Sequence, residues 1–475
     1  MTSGPSSLFD FTPFAGQSEQ YVELIRAFAA AHAFRSATVS ELLLNDDFHR
    51  RPLRPEDFAF LKFAKPVQPH NVSRLPSLAS NRTLLTIYEL GVARLPQANH
   101  PASWQEVADF YRDEVQVAGA RLTAFLENYA FQYLSRDAQL RGEVAAAVQR
   151  LAQVVEDEAA FWEETFARLV RNDYLEEGLR FVMVQRWALL PSKQRALARA
   201  AANGLFDMLP APLRPTLDPE PGSAALLQRV AAASGVTAQQ HAYWQFYLPT
   251  SLAQCNLLFA LGRRPDRAFG LVGAALVAQA QALAFETALE RACMHLRPAG
   301  RASDSAARRA ALLERAGQAL QMIDERCGAM ALTQAAQGVL AGERLAERAR
   351  WDLGEQLLWL SSIERYVAFA HRVGERIEAE CPDIDRETFV EPLEMCSTTH
   401  VHNDHRLVTI ESGRMLFWGN VGMRLEMNQG DSVLIPDGRL HGSTVLSAEC
   451  TYHQPIIPDD WVRELVSELD DPVEA

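Results

Sequence analysis

The sequence predicts a multidomain α+β protein, a large all-α helical body followed by a C-terminal β-barrel. Two observations carry the fold. From Ser103 to about Glu380, apolar residues recur at three- and four-residue spacing, the period of a helix with one buried face. From about Glu387 the pattern changes to short β-type runs separated by glycine turns. A third observation places chemistry in the barrel. His400-x-His402 is followed by Gly430-Asp-Ser-Val-Leu-Ile-Pro436-Asp-Gly438-Arg-Leu-His441.

The elements follow in order. Phe9–Phe14 is an aromatic entry segment, and Gln17–His32 has helical periodicity. Prolines at 52, 55, 66, 69, 76, 96 and 101 argue against long helices between about 50 and 102. Ser103-Trp-Gln-Glu106 has the form of a capping box. Helices are expected at about 103–134, 136–171, 173–189, 192–207, 222–234, 238–262, 266–296, 304–340 and 343–380, with one proline-rich break at 210–221. Strands are expected at Leu407–Ile410, Met415–Trp418, Arg424–Met427, Ser432–Ile435, Ser443–Leu446 and Cys450–His453, then a terminal helix at Asp459–Leu469. Tyr243, Trp244 and Tyr247 are expected in a helical core. Glu156-Asp-Glu158 reads as a solvated face, and Arg344, Arg348 and Arg350 as surface partners of Glu343 and Glu347.

A chain of 475 residues has room for two or three domains. Its net charge of −14 disfavours nucleic acid and acidic membranes as partners. Lysine occurs only at 62, 65 and 193, so arginine supplies almost all the positive charge; this reads as coding bias, not a binding signal. Six scattered cysteines form no CxxC pair and read as buried thiols of a reducing, cytoplasmic compartment. No apolar run is expected to reach the ~20 residues of a membrane span. The opening Met-Thr-Ser-Gly-Pro-Ser-Ser lacks a signal pattern.

In a strand, side chains i and i+2 share a face, so His400 and His402 offer two imidazoles to one cavity. The turn at Pro436 and Gly438 brings His441 opposite. Three neutral imidazoles with open positions suit Fe(II), Ni, Cu, Zn or Mn. The two segments, His400 to Gly413 and Gly430 to His441, resemble the two motifs of the cupin family. Arg406 stands where many cupins carry a glutamate ligand. The resemblance is therefore to three-histidine cupins, which include non-heme iron oxygenases, and it implies one Fe(II) per chain held by His400, His402 and His441.

The order of helical body then cupin resembles the three-domain N-nitrosourea-forming enzymes of streptozotocin biosynthesis. The segment Gly235–Ala253, followed by Gly273-Ala-Ala-Leu276, looks like the middle of a heme-oxygenase-like oxidase. This resemblance implies a helical dimerisation region at 1–135, a heme-oxygenase-like domain at 136–342, a connecting helix at 343–384, the cupin barrel at 385–458 and a helical tail at 459–475. It also implies a homodimer. The ligands of a diiron site are not matched. No histidine lies between His100 and His241, or between His295 and His371. Asp207 and Asp218 stand at ligand-like places, Gln279 or Gln281 replaces a carboxylate, and Arg348-x-x-x-Asp352-x-x-Glu355 begins with arginine. A diiron centre in the helical domain is not expected, and the isolated histidines 32, 241, 295 and 371 disfavour heme.

The resemblance implies an O₂-dependent oxidative rearrangement of a small N-hydroxylated amino-acid derivative, forming an N–N bond in natural-product biosynthesis. Without a diiron site, the substrate comes from a partner N-hydroxylase or needs none. Arg406, Tyr452 and His453 are the candidate catalytic residues; Tyr452 and His453 have opposite parity, so one alone faces the cavity. His405 and Trp418 are further candidate contacts. The alternatives are a three-histidine dioxygenase of a small thiol or diketone, and a metabolite-binding cupin without catalysis.

Overall fold

The computed structural model describes residues 7–17, 20, 21, 24, 28, 78–89, 102–135, 142–217, 223–237, 243–293, 304–393, 396–402, 404–418 and 425–469. Most of the expected helix Gln17–His32, together with Asp218, His241 and His295, lies outside these residues. After a single turn at Thr12–Ala15, the helical body comprises α1 (Leu78–Tyr88), α2 (Ala102–Phe110), α3 (Asp113–Phe131), α4 (Val144–Arg171), α5 (Leu175–Arg186) and α6 (Leu190–Ala202). It continues with α7 (Ser223–Ala233), α8 (Pro249–Gly262), α9 (Ala268–Ala292), α10 (Ser305–Cys327), α11 (Ala329–Ser361) and α12 (Ile363–Glu380).

Local chemistry explains where these bounds depart from expectation. The stretch expected at 103–134 is two helices, because Arg112 is extended and Asp113 and Glu114 place negative charge at a new N-terminus. The first begins at Ala102, so Ser103 lies inside its first turn and not at the cap. The helix expected from 238 begins only at Pro249. Proline holds Leu248 extended and sits at the first helical position. The expected break near Gly342 is absent. The chain instead stops at Gly328 (φ +85°) and Ser362, and Gly342 lies inside the continuous α11.

α9 is apolar all round from Ala268 to Ala278 and mostly buried beyond, so it is a core element. Contrary to the expectation of no long apolar run, Pro265–Ala292 is long and apolar enough to cross a membrane by length and composition, but its apolar stretch is largely buried among the other helices. It crosses α11 at backbone contact. A Cβ at Gly273 would lie 2.0 Å from the Ala335 carbonyl oxygen, and one at Gly338 2.1 Å from that of Gly270.

The C-terminal part forms two antiparallel sheets. One has the order β1 (Thr388–Pro392), β8 (Glu449–His453), β3 (His405–Ser412), β6 (Ser432–Ile435), with β9 (Ile456–Ile457) also pairing β3. The other has the order β2 (Cys396–His400), β7 (His441–Val445), β4 (Arg414–Trp418), β5 (Leu425–Asn428). This is a cupin-like arrangement of two facing sheets. α12 lays Tyr366, Phe369, Val373 and Ile377 against the first sheet. The terminal helix α13 (Asp459–Ser467) closes over α12, with the Arg376 guanidinium 4.2 Å from the Trp461 ring. One apolar core runs from the helices into the sheets. Of the cysteines, Cys255, Cys293 and Cys450 are buried, while Cys327 and Cys381 are exposed, which corrects the expectation that all were interior.

Candidate metal centre

β2 ends at His400 and β7 begins at His441, and the two residues pair across the ladder. This corrects the expectation of two histidines on one strand, because His402 lies in the loop after β2. The ladder slips between Ser397 and His400, the kind of irregularity that re-aims a side chain. Gly438, at φ +75°, lets the turn before β7 fold back so that its N–H donates to the His402 carbonyl at 2.8 Å. A side chain there would strain the turn that delivers His441. The ring centroids of His400 and His441 are 4.4 Å apart, those of His400 and His402 4.7 Å, and those of His402 and His441 5.0 Å. One ring nitrogen from each histidine lies within 4.8 Å of the others.

His441 is buried, and its Nδ1 lies 2.8 Å from the Arg439 carbonyl oxygen. A carbonyl only accepts, so Nδ1 carries the proton and the Nε2 lone pair is free. Burial, then the neighbouring His400 and His402, hold its pKa well below the usual histidine range. The imidazole is neutral at physiological pH. The Phe417 ring stacks 5.4 Å from it and meets the Trp359 ring of α11 edge-on at 6.2 Å, forming an apolar wall. The donor set therefore fits a divalent first-row cation, because ring nitrogens of three imidazoles converge within ligating reach of one point.

The other sequence candidates take distinct places. Arg406 pairs with Glu387 and donates to the Gln454 carbonyl at 3.0 Å, bracing the strand ends. Tyr452 occupies the buried face of β8. Its hydroxyl donates to Glu391 Oε1 at 3.0 Å and its ring stacks on Phe389 at 5.3 Å. Burial and Glu391 push its pKa up. His453 takes the opposite face, with Nδ1 2.8 Å from Thr388 Oγ1 and Nε2 3.3 Å from Glu411. His405 Nδ1 accepts the Asp437 N–H at 2.9 Å, so it pins the turn before His441 and stands outside the triad. The Trp418 side chain lies outside the described residues.

In the helical body, Asp207 is exposed and paired with Arg214 at 3.2 Å. Glu158 corrects the solvated-face reading, because it is fully buried. It accepts from Gln281 at 2.8 Å and Trp162 at 3.1 Å, and it faces Arg350 at 3.3 Å and Arg186 at 3.7 Å. Two guanidiniums here do what a cation would do for that carboxylate. Arg350 is thus not a surface partner within its own helix, and Arg344 donates to the Leu134 carbonyl at 3.0 Å. Both reach across to neighbouring elements, which the helical spacing alone could not show.

Asp352 is fully buried and accepts the Thr250 hydroxyl at 2.7 Å, while Glu355 lies 3.5 Å from Arg439. Burial raises the Asp352 carboxyl to about 6. The folded state therefore holds a proton that the unfolded state has lost between about pH 4 and 6. The carboxylate costs stability above pH 6, and the cost disappears as pH falls below the unfolded value near ~4. Asp352→Asn is expected to stabilise the protein by roughly 2 kcal/mol at pH 7.5 and by little at pH 4. Urea midpoints of both proteins at the two pH values check this; an equal difference at both would contradict it.

The fold and the site define the class: an enzyme whose helical body carries a C-terminal two-sheet unit with a three-histidine centre able to hold a metal ion. Along most of its length the chain is similar to the nitrosourea synthase of Streptomyces achromogenes subsp. streptozoticus. The two are 25% identical over 428 residues, covering 86% of this chain and 90% of the relative. The likeness thus spans helices and sheets together. No family model matches the chain.

Proposed function

We propose that this protein is a non-heme iron oxygenase of natural-product biosynthesis that converts a small N-hydroxylated amino-acid derivative, with O₂ as oxidant, into a product with a new N–N bond. The observation that carries this is the three-histidine centre in a chain similar over 86% of its length to a nitrosourea synthase. Fe(II) held by His400, His402 and His441 would supply open coordination positions for substrate and O₂ side by side. The three imidazoles bring no negative charge, so the site favours an anionic, chelating group such as a deprotonated hydroxylamine or hydroxyguanidine. The Arg439 carbonyl keeps the His441 Nδ1 protonated and its Nε2 directed inward. Phe417 and Trp359 keep water from that side of the rings. In this reading Arg406 braces the strand ends, and the substrate arrives already hydroxylated, because Glu158 is committed to Arg186 and Arg350.

The test is anaerobic loading with Fe(II), then chemically prepared N-hydroxyguanidine and hydroxylamine substrates in air. The expected result is one iron per chain and an N–N product by mass spectrometry, with mixed ¹⁵N labels showing both nitrogens from one substrate molecule. No such product, with O₂ uptake on a plain thiol or diketone, moves the assignment to a dioxygenase. Ligand binding without turnover moves it to a binding module.

A further inference from the structure

The residue before two of the three histidines is gripped at both of its backbone groups by buried side chains of the helical body. Thr399 precedes His400. Its carbonyl accepts from Arg82 Nη1 at 2.8 Å and its N–H donates to Gln245 Oε1 at 3.2 Å. Its hydroxyl takes a further bond from Arg82 Nη2 at 2.8 Å and donates to the Gln245 carbonyl at 2.6 Å. Leu440 precedes His441. Its N–H donates to Gln356 Oε1 at 2.8 Å and its carbonyl accepts from Gln356 Nε2 at 3.1 Å. Arg82, Gln245, Gln356, Thr399 and Leu440 are all buried.

The strand geometry explains why these grips bear on the histidines. Among the described residues β2 lies at the edge of its sheet, paired only with β7, and its ladder slips before His400. An edge strand with a slipped register is weakly specified by its own sheet. Adjacent residues point to opposite faces, so the Thr399 hydroxyl reaches the helices while His400 turns to the other histidines. Fixing the Thr399 and Leu440 backbones leaves only side-chain torsions to set where His400 and His441 point.

We propose that Arg82, Gln245 and Gln356 are positioning residues that let the helical body set the spacing of the histidine triad, so that metal affinity and ligand geometry depend on the helices. This rests on the triad being a metal centre. The three act through the Thr399 and Leu440 backbones and not as ligands.

The test uses the full chain and Co(II), titrated into metal-free wild type, Gln356→Leu, Arg82→Lys and a control, Gln334→Leu. Gln334 lies earlier on the same helix as Gln356 and makes a similar grip, accepting from the Phe269 N–H at 3.0 Å and donating to the Asp266 carbonyl at 2.5 Å. Gln356→Leu and Arg82→Lys should each weaken Co(II) binding roughly 10- to 100-fold and shift its visible d–d bands. Gln334→Leu should keep wild-type affinity and bands. If Gln356→Leu does not fold, Arg82→Lys, which keeps the charge but loses the two-point grip, gives the answer. Wild-type Co(II) affinity and bands in the folded clamp variants, or equal weakening in Gln334→Leu, would overturn the proposal. A wild type that takes up no Co(II) would overturn the metal reading itself.

Discussion

His441→Ala is expected to bring bound iron from one equivalent per chain to none and turnover to background. Two imidazoles remain, but His400 and His402 lie on one continuous segment and their ring nitrogens at 3.1 Å would have to hold an ion from one side. The fold should survive. The ring leaves a space against Phe417, and deleting a buried ring of this size costs about 3 kcal/mol. The backbone at Leu440 stays held by Gln356. Iron content and helical circular dichroism, measured on the same sample, check both halves. Retained iron would place the metal elsewhere.

Gly273→Ala is expected to destabilise the helical body by more than ~3 kcal/mol, although alanine is the better helix former. Its methyl would stand 2.0 Å from the Ala335 carbonyl oxygen, against backbone that cannot move without separating α9 from α11. Gly374→Ala, in α12, is the contrast. Nothing lies within 4 Å of its added carbon, so it should gain up to about 1 kcal/mol from helix propensity alone. Urea midpoints of the two variants decide it. Similar midpoints would show that the helices can part without loss.

Much of the site was legible because its information is local. The His-x-His spacing and the glycine turn at 438 are read within a few residues, but period-two geometry does not place the pair: His402 lies in the loop after β2, where its carbonyl accepts the Gly438 N–H. The strands from 405 to 453 were legible for the same reason, since alternation and glycine turns are read within a few residues. Helix breaks were less so. Gly342 looked like a stop, yet Val277 packs against it inside a continuous helix, whereas Gly328 ends one. A Cβ on Gly328 would meet open space and one on Gly342 would meet Val277, a difference set by the neighbouring helix and not by the local sequence.

The charged residues of the body show the limit most clearly. Glu158 looked solvated beside Glu156 and Asp157, and Arg350 looked like a partner of its own helix. Their pairing joins residues distant in sequence, so no spacing rule could reveal it. The same holds for Arg82, Gln245 and Gln356, which carry no motif at all. By itself the sequence determined the fold class, the three candidate histidines and the turn before His441, because period and turn chemistry act over a few residues. Only the tertiary structure decided which buried charges neutralise one another and which amides hold the histidine strands, because hydrogen bonds and ion pairs depend on where distant segments meet in space.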